Sequence, residues 1–491
     1  MPLISNFFVP IIKVPEVVEN LLKNEYHLHH YHKSNSLKTL ENYLDHLKKD
    51  LWVLIEHPYV DKVYRDSFYH YYSSKNQVYS RDCIKLSFFT NEIDNSLFRS
   101  SESKTILQDS FLGFLVLRPT FPKIIGRSVL SPLSVEENNF KICKAEVSTT
   151  ANGVKLLVNG FPHSSQNSET ITCAETTIWS VMEYFGMRYP EYSPTLPSKI
   201  SKILAAQSFE RQLPSKGLTA QQISYALREL GFGVKIYSAA SYKTEFLPLL
   251  RSYIESGIPV VAAIQNNRGI GHAQCIIGRT KFNDESIDIL EQFEDYGNEV
   301  KIFQFETVDL KYVFIDDNHP PYKISPLDEP SSFYSLPNWK DCKIVNFVVP
   351  LYSKIYLDAG EARAYAKSIL KNYIANLQVY KNKDLVMKTF LASSRSYKDY
   401  LACNPHLEPL VKEILMRSSM PKFIWISELS SKKSLKQEMV DGLLIIDATQ
   451  TKQHGLIAGL LGNYYFTENL NEIVKINISL QPFKSYNFNL K

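Results

Sequence analysis

The sequence predicts an α+β protein, and three sets of observations predict it. Apolar residues recur at helical spacing over 171–185, 220–230 and 243–256. Between and after these stretches lie short β-rich runs at 257–264, 272–278 and 312–316, bounded by turn formers. The same mixture recurs on either side, with strand-like runs at 83–89 and 111–117 before it and at 344–349, 423–426 and 443–447 after it. A chain of 491 residues has room for two or more domains. We divide it into an α+β unit over 1–150, a central unit over 151–330 and a second α+β unit over 331–491. The proline- and serine-rich stretch 325–337 marks the last boundary.

The first helical stretch opens at Cys173 and continues through Ile178, Trp179, Met182 and Phe185 to Gly186, an amphipathic pattern with a glycine stop. A cysteine in a first helical turn meets unpaired backbone N–H groups and the positive end of the helix dipole, which favour its reactive thiolate. Free cysteine also fills cores as a small apolar residue, so Cys173 alone carries no function. His272 follows a polar turn, 265–271, and begins a strand. There His272, Gln274 and Ile276 share one face and Cys275 points to the other. The apolar run 312–315 ends in Asp316-Asp317-Asn318. A carboxylate at that strand end can reach the second ring nitrogen of His272, fix its tautomer and stabilise its imidazolium. Asp316 is the first choice and Asp317 the reserve, while the same run also reads as a plain turn into Pro320-Pro321. A thiol, an imidazole and a carboxylate in this order are the parts of a cysteine acyl-transfer site.

The ordered series resembles the papain-like cysteine peptidases, specifically the C39-like branch. It comprises the cysteine helix ending Tyr184-Phe185-Gly186, Gly217-Leu218-Thr219 opening a helix that ends Leu230-Gly231, a further helix before Gly257-Ile258-Pro259-Val260-Val261, then Gly271-His272 and Phe314-Ile315-Asp316. It covers roughly residues 160 to 325, the length of an ordinary domain. The resemblance implies a papain-like core, in which the nucleophile helix packs on an antiparallel sheet, and a catalytic triad of Cys173, His272 and Asp316. It also implies a glutamine that helps bind the oxyanion beside the Cys173 backbone N–H. Gln166 is the candidate for that role, and Ala174 stands where the family has glycine. The expected activity is that of a peptidase or amidohydrolase acting on a protein or peptide. The alternatives are a non-catalytic sensor or interaction protein of the same shape and a transglutaminase-type acyltransferase.

Other features bound the answer. A net charge of +4 on a chain this long does not argue for nucleic acid or an anionic membrane surface. No apolar run reaches the ~20 residues that span a bilayer, and the N-terminus lacks the parts of a signal peptide. The six cysteines are scattered with no CxxC pair, so neither a zinc site nor a disulfide framework is expected, and a reducing, cytoplasmic setting fits. No P-loop or dinucleotide fingerprint occurs, so no cofactor is expected. The histidine run from His27 to His32 has no acid or cysteine to complete a metal site. Arg118 and Arg127 read as local structural pairs, and the acid-rich segment 283–309 as a solvated face.

Overall fold

The computed structural model describes residues 4–27, 33–120, 124–166, 173–207, 217–290, 292–296, 300–450, 455–469, 472–478 and 480–491. Most of the histidine run and the residues between Gln166 and Cys173 thus lie outside the described residues. The fold is α+β, as the sequence predicts, and its two central sheets are antiparallel throughout.

The chain first lays down strands β1 (Ser5–Pro10), β2 (Trp52–Tyr59), β3 (Cys83–Phe89), β4 (Phe111–Leu117) and β5 (Ile125–Leu130). A short strand, β6 (Phe140–Ile142), precedes the hairpin of β7 (Ala145–Ala151) and β8 (Val154–His163). The first sheet has the order β1-β2-β3-β4-β5-β8-β7. Strands β3 and β4 are buried along their whole length because both faces are covered. Side chains alternate across a strand, so Ile84, Leu86 and Phe88 enter the large central core while Phe114 and Val116 enter a separate aromatic cluster.

The second sheet takes β9 (Phe232–Ser238), β10 (Val260–Gln265) and β11 (Gly271–Thr280). Next come β12 (Phe293–Asp295) and β13 (Lys301–Gln304), then β14 (Tyr312–Ile315), β15 (Lys323–Ser325) and β16 (Lys343–Tyr352). Its order is β15-β14-β11-β10-β16-β9, and β6 adds to β11. A third sheet follows the same chain onward through β17 (Asp384–Ser393), β18 (Phe423–Ser431) and further strands to Asn477. It recruits β12 and β13 at one edge, with β13 parallel to β17.

The pairing crosses both boundaries drawn from the sequence. The hairpin β7–β8 belongs with the first sheet, β16 sits inside the second, and β13 joins the third. Composition marks where a chain turns, whereas hydrogen-bonded partners decide which sheet a strand completes. The segment 283–309 is likewise more than a solvated face, because Ile302, Phe303 and Phe305 lie in the core.

The Cys173–Arg188 helix differs from its sequence reading in two ways. It is buried around its whole circumference from Ala174 to Phe185, because it packs on β11 and also against the hairpin β7–β8. It also runs past Gly186 to Arg188. Gly186 is there for closeness, since a Cβ at that position would lie 2.4 Å from the Pro194 nitrogen and 2.7 Å from the Ser193 carbonyl carbon. Gly186→Ala is therefore expected to cost about 1–3 kcal/mol, read as a lower urea midpoint at unchanged slope. The helix Ala220–Glu229 begins with the capping box expected from Thr219 and Gln222. Thr219 Oγ1 accepts from Gln222 N at 3.2 Å, and Gln222 Oε1 accepts from Thr219 N at 2.9 Å.

Candidate functional site

Strand register brings the imidazole and carboxylate together. Cys275 pairs with Ile315, so Gln274 lies opposite the end of β14, where Asp316 follows, and His272 lies two residues further along the same face. Asp316 is fully buried and its carboxylate accepts four hydrogen bonds. Its Oδ2 takes them from His272 Nε2 at 3.1 Å, Gln274 Nε2 at 2.7 Å and the Tyr334 hydroxyl at 2.7 Å. Its Oδ1 accepts from Asn318 N at 2.8 Å. An ionised carboxylate only accepts, so Nε2 carries the hydrogen and Nδ1 is the ring nitrogen left for the thiol.

Cys173 is half-buried at the first position of its helix, with its thiol beside the His272 ring. Thr177 Oγ1 donates to the Cys173 carbonyl at 2.8 Å and secures the first turn. Burial alone would lower the pKa of His272, but the charge and hydrogen bond of Asp316 outweigh it and, with Cys173 and Asp317, hold the imidazole well above its ordinary value. Burial likewise pushes Asp316 up, yet His272, His319 and the Tyr334 hydroxyl hold it well below the usual carboxylate range. The pair therefore sits as imidazolium and carboxylate at neutral pH. Asp317 is the outer acid, with Oδ1 3.7 Å from His272 Nε2.

Gln166 is brought to the same corner, where its Nε2 donates to Asn318 Oδ1 at 2.8 Å. The first sheet fixes the approach to it. Buried Arg118 donates from Nη2 to the carbonyls of Ser165 at 3.1 Å and Gln166 at 3.5 Å. Arg118 is thus a structural clamp, and Arg127 pairs with Glu183 on the cysteine helix at 3.4 Å.

Three contributors escape a reading of the sequence. His163, at the end of β8, bonds the Asp316 carbonyl through Nε2 at 3.2 Å and Ser128 Oγ through Nδ1 at 3.2 Å, and burial pushes its pKa down to about 4. It is a neutral spacer between the first sheet and the triad. Tyr334 and Trp339 come from 326–342, which overlaps the stretch 325–337 taken as a boundary. This segment is a strap across the site instead. Trp339 stands edge-on to the His272 ring at 5.8 Å and 75°, and Tyr334 stacks on Trp339 at 5.8 Å and 29°. Proline and serine signal irregular backbone, but they do not say whether it links domains or packs on one.

His272, Asp316 and Asp317 present ligand atoms within 4.8 Å of one another. The donor set does not suit a cation, because Asp316 Oδ2 is already occupied by N–H and O–H donors and Nε2 must carry a hydrogen to reach it. Among the described residues no helix is long and apolar enough to cross a membrane.

Fold and site together define a thiol–imidazole–carboxylate constellation on a helix and an antiparallel sheet. No protein-family model matches the chain, and no curated protein is similar to it.

Proposed function

We propose that this protein is a cysteine peptidase or amidohydrolase of papain-like type, acting on a protein or peptide. The observation that carries the reading is the bond of His272 Nε2 to buried Asp316, with Cys173 beside the same ring at the start of a buried helix. Paired with the His272 imidazolium, the Cys173 thiolate attacks an amide carbonyl. The oxyanion is bound by the Cys173 backbone N–H and, once it turns from Asn318, by Gln166. The imidazolium then protonates the leaving amine, and water releases the acyl group. An amine in place of water would make the same site a transferase, so the products of a reaction run with added amine separate the two activities. A thiol nucleophile and six unpaired cysteines suit a reducing compartment such as the cytoplasm.

The test is alkylation of the intact chain with dilute iodoacetamide across pH ~5 to ~9, each cysteine being read by mass spectrometry. Burial raises the pKa of Cys83, Cys275 and Cys342 and pushes Cys143 up to about 12, which leaves exposed Cys403 as the comparison. Cys173 is expected to label faster than Cys403 at pH ~5 to ~6. Equal or slower labelling there removes the nucleophile and with it the proposed activity. A peptide-library digest with Cys173→Ala as the blank then defines the substrate.

A further inference from the structure

We infer that Tyr334 is a positioning residue whose hydroxyl, by sharing Asp316 with His272, sets how tightly His272 holds its proton and so the alkaline limit of thiol chemistry at Cys173. This rests on the roles proposed above for Cys173, His272 and Asp316.

Three donors meet at Asp316 Oδ2, and the one from His272 is the longest, 3.1 Å against 2.7 Å for Gln274 and for Tyr334. A carboxylate oxygen offers two lone-pair directions, so the donors compete. The Tyr334 hydroxyl also aims its positive end at Asp316, close to the imidazolium, and opposes that charge. Both effects restrain the attraction between Asp316 and His272. Without the hydroxyl, Asp316 binds His272 more strongly and the ring keeps its proton to higher pH. Gln274 supplies the same kind of bond, but from the strand that carries His272 itself. Tyr334 is delivered by the strap, so the strap tunes the triad through one atom.

The strap is anchored on both sides of Tyr334. The Ser325 hydroxyl donates to the Glu329 carbonyl at 2.5 Å and Lys343 Nζ to the Asp328 carbonyl at 2.6 Å. The Ser331 hydroxyl bonds the Trp339 carbonyl, and Asn266 Nδ2 donates to the Asn338 carbonyl at 3.2 Å, tying the strap to the turn before His272. Burial and the neighbouring Asp316 charge raise the phenol far above its ordinary value, so Tyr334 remains a neutral donor. The other titratable groups facing the pair are Cys173, Asp317 and Cys342 around His272, with His163 and His319 beside Asp316. All of these are retained when only the hydroxyl is removed.

The experiment follows His272 by NMR in the full chain labelled with ¹⁵N-histidine, its signal identified among the 12 histidines by loss in His272→Gln. Tyr334→Phe keeps the ring and its stacking on Trp339. The His272 midpoint is expected to rise by about one pH unit, the worth of a modest hydrogen bond to a charged group. The alkaline inflection of Cys173 alkylation should rise with it. Replacing Tyr334 by 3-fluorotyrosine, whose more acidic phenol is a stronger donor, should move the midpoint the other way. A purely structural role would leave the midpoint in place or move it in one direction for both changes, and either result overturns the inference. If Tyr334→Phe does not fold, the sign of the fluorotyrosine shift decides alone. The midpoint tests Tyr334 whatever Cys173 does, whereas failure of the thiol reading shows separately as ordinary alkylation of Cys173 in the unaltered chain.

Discussion

Replacing His272 by alanine is expected to slow alkylation of Cys173 at pH 6 by roughly 10- to 100-fold while leaving Cys403 unchanged. A thiol without an imidazolium partner titrates near ~8.5, so at pH 6 only about one molecule in 300 is a thiolate. Part of that loss returns, because a more basic thiolate is a better nucleophile, with a Brønsted slope of about 0.4–0.5. In His272→Ala the thiolate also faces Asp316 and Asp317 with no cation between them, which works against ionisation. Turnover of a peptide substrate should fall further, because the same ring must protonate the leaving amine. Mass spectrometry of both cysteines in one sample reports the effect with its own internal control. Equal rates for Cys173 in the two proteins would mean that His272 does not activate it.

The second large effect is expected at Asp316. Asp316→Ala leaves the buried His272 ring, the Gln274 amide and the Tyr334 hydroxyl without their shared acceptor, a loss of about 3–5 kcal/mol by denaturant unfolding. Asp316→Asn keeps the shape and can still accept, but it removes the charge that holds His272 protonated. Activity should fall on the order of 10⁴-fold with only a small change in fold, as judged by circular dichroism.

The pH dependence of stability carries a sign that checks the assignment. His272 is raised on folding, so its contribution is full below its unfolded value near ~6.5 and is lost as pH rises through the higher folded value. Asp316 is depressed, so its contribution is full above its unfolded value near ~3.9 and is lost as pH falls toward the lower folded value. The stability difference between the unaltered protein and Asp316→Asn should therefore be greatest between about pH 4 and 6.5, and shrink on both sides. A difference that is flat from pH 3 to pH 9 would show that the two groups are not coupled.

Much of the local structure is legible in the sequence, for reasons of short range. The capping residues Thr219 and Gln222, the alternation along Gly271–Thr280 and the apolar runs of β3, β4 and β14 record contacts within a few residues, and each element stands where its pattern predicts it. The residue types proposed for the site are also visible, because helix start, strand start and strand end are local features. The helix at Cys173 shows where this stops. Its Ile178, Trp179 and Phe185 read as one apolar face, yet Thr176, Ser180 and Glu183 are buried too, since β11 covers one side of the helix and the hairpin β7–β8 another. Nothing in a single helical stretch announces a second covering layer.

The α+β class, the strands β10, β11, β14 and β16 and the candidates Cys173, His272, Asp316 and Gln166 can all be read from the sequence, because each depends on side-chain period, turn chemistry or order along the chain. It takes the packed fold to make Gln274 and Tyr334 share Asp316 with His272, to bring His163 and Arg118 against the same corner, and to lay 326–342 across it as a strap. Those contacts join residues from 18 to 153 positions apart. They follow from strand register and the packing of one sheet on another, which no local pattern encodes.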